Sequence, residues 1–175
     1  VADGLETITV SQAKIYEDTF GGEYNADGEL INKETALDIR PILNAGNESA
    51  TITVEDIPVG STIKYNGVEY KMTGDTFSPD TGVKITAVRD GEGKITSYSI
   101  TMEDFQEGKF FIKIKPPLDS NEDFDLKVSG FTTDGDDISS SISDIILHVD
   151  VVGVADNVEV ITSPKYEGVS YTEAQ

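Results

Sequence analysis

The segment "AVRDGEGKITSYSI", residues 87–100, contains the pattern that decides the fold of this chain. Polar and apolar residues alternate on both sides of Asp90-Gly91-Glu92-Gly93, and a period of two is typical of a β-strand with one buried face. The glycines between the two runs supply the positive φ angles that a tight turn requires. The segment therefore predicts a β-hairpin.

The same alternation recurs along the chain, between turn-rich clusters such as 56–61, 65–70, 116–123 and 132–137. No window has the apolar spacing of an amphipathic helix. Seven or more short strands separated by turns predict an all-β protein, an antiparallel β-sandwich of the immunoglobulin-like kind. Because cysteine and tryptophan are absent, an antibody-type domain is excluded. Outside the hairpin, the predicted strands lie in "ETITV" (6–10), "SATITVEDI" (49–57), "KFFIKIK" (109–115), "FDLKVSGF" (124–131) and "SDIILHVDVVGV" (143–154).

The chain is strongly acidic, since 33 Asp and Glu residues against 13 Lys and Arg residues give a formal net charge of −20. Such a surface repels phosphate backbones and anionic lipids, so we expect no nucleic-acid partner and no membrane insertion. No apolar run approaches the roughly 20 residues that a membrane-spanning helix needs, and the first residues lack the pattern of a signal peptide. With one histidine and no cysteine, a zinc site is not expected.

The tripeptide Val-Ala-Asp occurs at residues 1–3 and again at 154–156, so the period of the repeat is 153 residues. Both copies are followed by a Val/Thr/Ile-rich run and then by a tyrosine with acidic neighbours. Because this period is the size of one domain, we interpret residues 1–153 as one β-sandwich repeat. Residues 154–175 are interpreted as the junction and first strand of a following repeat. We expect the chain to be a monomer whose terminal strand pairs with its own sheet or with a neighbouring molecule.

The acidic residues concentrate in segments that the pattern assigns to loops, which suits a hard cation. Calcium takes six to eight oxygen ligands from carboxylates, amides and carbonyls, and loops rich in Asp, Asn, Glu and Gly supply them. Simple solubility of the surface and adaptation to salt are the alternative explanations. The acidic segments are 16–18, 21–29, 43–49, 119–123, 133–137 and the two Val-Ala-Asp junctions.

The segment "EYNADGELINKE", residues 23–34, nearly matches a twelve-residue calcium loop. Glu23, Asn25 and Asp27 occupy its positions one, three and five, and Glu34 occupies position twelve. The first position should be Asp and no helices flank the segment, so an EF-hand is not expected. The alternative is a polar insertion with a hairpin turn at Asp27-Gly28.

Weaker candidates are found elsewhere in the chain. Asp134, Asp136 and Asp137 of "TTDGDD" form either a calcium loop or an ordinary acidic turn. His148 is expected to face outward from a terminal strand rather than to act in catalysis. Three aromatic residues, Tyr65, Tyr70 and Phe77, are expected to pack in the core rather than to line a carbohydrate platform. No serine lies in a nucleophile elbow, and we predict that the protein is not an enzyme.

These segments follow one another in the order "VAD", "YEDT", "ALDI", "LNAGNESATITVEDIPVGSTI" and "KPPLDSNEDFDLKVSGFTTDGDDISSSISDIILHVDVVGVAD". This order resembles the cadherin-like or immunoglobulin-like repeats of giant bacterial adhesins of the RTX type, which are exported by type I secretion. The resemblance covers about residues 1–156. It implies calcium as the cofactor, held where neighbouring repeats meet. The implied ligands at the two junctions are Asp3, Glu17, Asp18, Asn44, Glu48, Asp156 and Glu173.

Two features depart from the pattern of these repeats. Asn44, Gly46 and Asn47 stand where the family more often has Asp and Gly-Ser, which lowers the charge of the ligand set. Residues 20–35 look like an insertion between "EDT" and "ALDI". If Asp3, Glu17, Asp18 and Glu48 converge, their carboxylates repel one another without calcium, and the ion would lock one angle between repeats.

The resemblance therefore implies a structural repeat located outside the cell, at the bacterial surface. Stacked copies would project a distal binding region that serves attachment and biofilm formation, with neighbouring repeats of the same polypeptide as partners. The alternative is a ligand-binding adhesin module that recognises a glycan or protein receptor through the inserted loop.

Overall fold

The computed structural model describes residues 5–43, 49–75, 77, 82–105, 112–134, 137–138 and 141–153. These residues form strands, turns and bends and contain no helix, so none of them could belong to a membrane-spanning helix. This confirms the all-β prediction. The strands are β1 (Leu5–Val10), β2 (Ala13–Tyr16), β3 (Gly21–Tyr24), β4 (Leu30–Glu34), β5 (Ile39–Leu43), β6 (Ser49–Ile57), β7 (Thr62–Tyr65), β8 (Val68–Lys71), β9 (Val83–Arg89), β10 (Ile95–Phe105), β11 (Ile112–Lys115), β12 (Phe124–Asp134), β13 (Asp137–Ile138) and β14 (Ile142–Val152).

A seven-stranded sheet dominates the fold, in the order β2-β14-β12-β6-β10-β9 with β13 added to β12. Its pairs are antiparallel except for β2, which runs parallel to the end of β14. A three-stranded antiparallel sheet has the order β11-β7-β8. Two further antiparallel pairs, β1-β5 and β3-β4, complete the described structure.

The two larger sheets contribute to one hydrophobic core. Tyr98, Ile100 and Met102 of β10 are fully buried, and so are Ile63 of β7 and Ile114 of β11. Alternate residues of each strand enter this core because successive side chains of a strand point to opposite faces. This arrangement is consistent with a β-sandwich.

The hairpin predicted from residues 87–100 is formed by β9 and β10 and is therefore confirmed. Its turn is closed by the amide of Asp90, which donates to the carbonyl of Lys94 at 2.9 Å. The Asp90 carboxylate accepts hydrogen bonds from the amides of Glu92 and Lys94. Gly93 has a φ angle of 84°, the left-handed conformation that the glycine was expected to supply.

Every strand segment predicted from the alternation contains a strand, although residues 109–111 and 154 lie outside the described part. The short strands β2, β5, β7, β8 and β13 were not predicted, and β3 and β4 were expected only in the alternative interpretation with a hairpin turn at Asp27-Gly28. Several of them lie in turn-rich segments, where four-residue strands are too short to show a clear period. Residues 65–70, for example, were assigned to a turn, but only Asn66 and Gly67 connect β7 to β8.

The aromatic residues considered as a carbohydrate platform belong to the interior. Tyr65 and Tyr70 are each 8% exposed and belong to the core. Phe77 is partly buried and makes an edge-to-face contact with Tyr98, with ring centroids 5.9 Å apart. The expectation that these residues pack in the core is confirmed.

Close packing at Gly130 of β12 gives a test of this core. A Cβ atom there would lie 2.7 Å from Cδ1 of Ile52 and 3.0 Å from the carbonyl oxygen of Thr51. We expect Gly130→Ala to lower the free energy of unfolding by about 1–3 kcal/mol, because overpacking shifts backbone and side chains. Gly91→Ala is the control, since nothing lies within 4 Å of a Cβ at that turn position. Denaturant unfolding of both variants measures the difference, and equal stability of the two would contradict the packing described.

Candidate functional site

The end of the seven-stranded sheet at which β14 finishes carries acidic residues. Tyr16, the last residue of β2, lies beside Val152, the last residue of β14. The amide of Glu17 then donates to the carbonyl of Val152 at 2.9 Å. Glu17 and Asp18, two of the predicted calcium ligands, therefore lie where the chain leaves the sheet towards the second Val-Ala-Asp.

The loop 119–123 joins the same end through its backbone and side chains. The amide of Asp119 donates to Oδ1 of Asp18 at 2.8 Å, and Oδ1 of Asp123 accepts from the amide of Val151 at 2.8 Å. A Cβ atom on Gly153 would lie 2.9 Å from Nδ2 of Asn121, so this loop is in close contact with the end of β14. Three segments thus meet here, namely 17–18, 119–123 and 151–153.

We call the carboxylates of Glu17, Asp18, Asp119, Glu122 and Asp123 the acidic end. Two of its residues, Asp18 and Asp119, have φ angles of 62° and 57°, a left-handed conformation that Asp adopts more readily than most residues. Among the residues that the structure describes, no three Asp, Glu or His side chains are grouped so that they could hold a metal ion. The acidic end is therefore a concentration of charge rather than a complete ligand cage.

Sequence reasoning did not assign residues 119–123 to the predicted ligand set, although it identified the segment as an acidic loop. The loop precedes β12 and is 101 residues away in sequence from Asp18, its hydrogen-bonding partner. Only the parallel pairing of β2 with β14 and the antiparallel pairing of β14 with β12 bring them together. No local pattern could have indicated this.

The beginning of β1 lies at the opposite end of the sheet. The side chain of Ile8 is close to Gly130, whose partner is Ile142, the first residue of β14. The 11 residues of β14 separate the two ends by about 33 Å at roughly 3.3 Å per residue. The described residues nearest in sequence to Asp3, Asn44 and Glu48 are Leu5, Leu43 and Ser49. Leu5 pairs with Leu43, and Ser49 pairs with Thr133 of β12.

Several predicted junction ligands lie outside the described residues: Asp3, Asn44, Glu48, Asp156 and Glu173. Within one copy, Leu5 lies beyond Ile8 and so further still from Glu17 and Asp18. Because Asp3 and Glu48 lie outside the described residues, the convergence of Asp3, Glu17, Asp18 and Glu48 stays a prediction. In a stack of copies, opposite ends would meet.

The insertion at residues 20–35 is a β-hairpin formed by β3 and β4. Oδ1 of Asn25 accepts hydrogen bonds from the amides of Asp27 and Glu29, at 2.9 and 2.8 Å. Gly28 has a φ angle of 81°, and its amide donates to the carbonyl of Asn25. The alternative interpretation of this segment, a polar insertion with a turn at Asp27-Gly28, matches this geometry.

The residues predicted for a calcium loop are distributed along this hairpin. Asn25 lies in the turn, whereas Glu34 pairs with Gly21 at the base. Glu34 lies four positions after Leu30, which is next to the turn, a distance of about 13 Å in a strand. The structure therefore does not bring Asn25 and Glu34 together, and the side chain of Glu23 lies outside the described part.

The hairpin is held on the three-stranded sheet by its base. The Glu34 carboxylate contacts Nζ of Lys64 at 2.7 Å and Nζ of Lys113 at 2.8 Å. The ring of Phe20, 9% exposed, has the Nζ atoms of Lys64 and Lys115 at 5.4 and 5.3 Å from its centroid, within the range of cation–π attraction. Hydrogen bonds from Lys113 and Lys64 lower the pKa of Glu34 from 4.5 to about 2.

The segment 134–137 is the connection between β12 and β13. Asp134 pairs with Asp137 through the backbone. Asp136 and the side chains of the other two aspartates lie outside the described residues, so a calcium loop at this position stays a prediction.

His148 projects from β14 towards solvent, as predicted, and its side chain is 43% exposed. Its Nδ1 atom lies 2.6 Å from Oδ1 of Asp125, and Nε2 lies 3.8 Å from Oδ2 of Asp123. The hydrogen bond to Asp125 is the largest cause that raises the pKa of His148 above 6.5, and the negative charges of Asp125, Asp123 and Asp150 act in the same direction.

In comparisons with known proteins, no family model, no curated protein and no solved structure matches this chain.

The contacts of Glu34 predict that it holds the hairpin in place. Glu34→Gln removes the charge, and we expect severalfold faster amide hydrogen exchange in residues 21–34 at neutral pH. Since the pKa of Glu34 is about 2 in the fold against 4.5 ordinarily, the stabilisation is present above pH 4.5 and disappears as the pH falls towards 2. The control is Glu29→Gln in the exposed turn. Equal exchange in the two variants would contradict the role of Glu34.

The environment of His148 predicts a raised pKa, which is directly measurable because the chain has one histidine. We expect NMR titration to give a pKa above 6.5 that falls in Asp125→Asn. A raised pKa in the fold means that the contact stabilises below pH 6.5 and that this stabilisation is lost as the pH rises through the folded value. Asp144→Asn, which alters a carboxylate of the same strand beside Lys127, should leave the pKa nearly unchanged. An unshifted pKa in the wild type would contradict the contact.

Proposed function

We propose that this chain is a calcium-stabilised extender repeat of a bacterial cell-surface adhesin, with an immunoglobulin-like or cadherin-like sandwich and no enzymatic activity. The observation that carries the proposal is the acidic end. Glu17, Asp18 and the loop 119–123 lie at the end of β14, two residues before the second Val-Ala-Asp begins. In the resembling adhesin repeats, that is the place where calcium joins one domain to the next.

In the proposed mechanism, two copies form a junction head to tail. The acidic end of one copy supplies Glu17 and Asp18, the connecting segment supplies Asp156, and the beginning of the next copy supplies further oxygens. Without the cation, carboxylates of both copies repel one another and the junction bends. With it, six or more oxygens held around one ion would fix the angle between copies. The function is mechanical, since a stiff array projects a distal binding region away from the cell.

Calcium should raise the stability of the chain if the proposal is correct. Extracellular modules bind calcium with dissociation constants of about 0.1–1 mM, and one site at ten times its dissociation constant adds about 1.4 kcal/mol. For a domain of this size we expect thermal unfolding to shift upward by about 3–6 °C relative to EDTA. Magnesium should have a much smaller effect, because it tolerates fewer ligand geometries.

Two variants make this measurement specific to the acidic end. Glu17→Gln should reduce the calcium-dependent shift, whereas Glu92→Gln, in the exposed turn of the β9-β10 hairpin, should keep it. No shift with calcium in the wild type would remove the support for a calcium-dependent junction. A shift that both variants retain would place the ion elsewhere.

A second candidate function is recognition of a glycan or protein receptor through the hairpin 20–35. It is supported by the anchored base of the hairpin together with its exposed turn, residues 26–29, and by Ile31, which is 41% exposed. A rigid loop loses little conformational entropy on binding. A glycan array and a receptor pull-down with the wild type and with Ile31→Asp test this candidate, and equal binding of the two proteins would exclude a role of this face of the hairpin.

A further inference from the structure

The outer face of the three-stranded sheet is basic in a chain of net charge −20. Ile63, Tyr70 and Ile114 enter the core, so the residues that alternate with them point outward. Those residues are Thr62, Lys64, Glu69, Lys71, Lys113 and Lys115, of which Thr62, in the central strand, is covered and only 5% exposed. We call this surface the lysine face.

The register places the lysines in two rows across the strands. Lys113 is opposite Lys64, which is opposite Glu69. In the second row, Lys115 is opposite Thr62, which is opposite Lys71. Neighbouring strands are about 4.8 Å apart, so the backbones at Lys115 and Lys71 are separated by about 10 Å.

The two rows differ in how their charge is compensated. Lys64 and Lys113 share the Glu34 carboxylate, and the charge of Glu69 also acts on Lys64. In the second row, the described contact of Lys115 is with the ring of Phe20, and Lys71 is exposed. With Glu34 and Glu69 counted, four positive and two negative charges leave the lysine face with a net charge of +2. An anion that contacts both Lys115 and Lys71 would compensate the charge of the second row.

We propose that the lysine face binds a linear, carboxylate-bearing polysaccharide, with Lys115 and Lys71, the two lysines that Glu34 does not pair, as the contacts. This goes beyond the proposed mechanical function and uses a different surface from the acidic end and from the exposed hairpin turn. Screening makes it compatible with the net charge, because at physiological ionic strength the Debye length is about 8 Å and the local charges dominate.

The composition of the face distinguishes between classes of partner. A protein interface is centred on buried aromatic or other apolar anchors, and the outward residues of these three strands include none. Duplex DNA carries one charge per about 1.7 Å, far denser than four lysines interrupted by two glutamates. Lysine binds anions as a point charge with little demand on geometry, which suits a flexible chain of widely spaced carboxylates.

Binding of oligogalacturonate tests the proposal, since this polymer carries one carboxylate per sugar. Isothermal titration calorimetry at physiological ionic strength, with EDTA present, should show binding that weakens as salt is raised further. Uncharged dextran should not bind. Dextran sulfate distinguishes a general anion site, which would also accept sulfate, from one that prefers carboxylate.

Matched charge reversals locate the site. The double variant Lys71→Glu/Lys115→Glu should bind oligogalacturonate at least about tenfold more weakly. Neither lysine contacts Glu34, so the ion pairs of Glu34 are retained. Lys115→Glu also removes the contact with the ring of Phe20, and Lys71→Glu alone, which leaves that contact in place, should weaken binding as well. The control is Lys84→Glu/Lys94→Glu, which makes the same change of net charge at exposed residues of the β9 strand and the turn that follows it. Circular dichroism melting confirms that both variants fold.

Four outcomes would overturn the proposal. They are no binding by the wild type, equal loss in both double variants, binding that requires calcium, and tighter binding of duplex DNA than of oligogalacturonate. Sedimentation velocity adds a fifth outcome. If the wild type shows salt-sensitive self-association that only Lys71→Glu/Lys115→Glu abolishes, and the polysaccharide does not bind, the partner is a second copy of the chain. Calcium-dependent stability is measured separately, so failure of this proposal leaves the junction proposal intact.

Discussion

Burial of one face of each of two sheets in a shared core is the constraint on which the rest of this structure depends. Successive side chains of a strand point to opposite faces. Polar and charged side chains therefore lie on the outer faces, in the turns and at the ends of the sheets. The fully buried residues of β6, β10 and β12 meet those of β7 and β11. The charge of the molecule is thereby distributed by the same rule that builds its core.

The distribution separates the two signs of charge. Carboxylates gather in turns and at the acidic end, where backbone amides already bind Asp18 and Asp123. Lysines alternate with isoleucine in β11, and the same strand therefore contributes Ile112 and Ile114 to the core and Lys113 and Lys115 to the surface. A protein with a large negative net charge thus presents a basic surface on its three-stranded sheet, and the overall composition does not predict this surface.

The hairpin 20–35 connects these two regions. It begins two residues after Asp18 and returns to the lysine face, where Phe20 and Glu34 contact three lysines. These contacts are ionic and cation–π in character and are partly exposed, so each contributes modestly and depends on salt and pH. The insertion is therefore an ordered part of the surface, held at its base, with its turn presented to solvent.

Alternation over five or more residues leaves little choice of conformation, so the class of the fold and the position of the long strands follow from the sequence. The hairpin turn at Asp90–Gly93 also follows from the sequence, because glycine and an Asp side chain act locally there.

Short strands such as β7 and β8 were not predicted, since four residues show no clear period. In β6, Asp56 has a left-handed conformation (φ 66°) and lies where the register between β6 and β10 is irregular. Because of this irregularity, both Val54 and Ile57 are buried in the core, although a strict period of two would place them on opposite faces. Only the tertiary structure decided that Glu17 and Asp18 meet the loop 119–123 and that Glu34 meets Lys64 and Lys113. The physical reason is that pairing between distant strands, unlike alternation and turn chemistry, depends on how the whole chain buries its apolar faces.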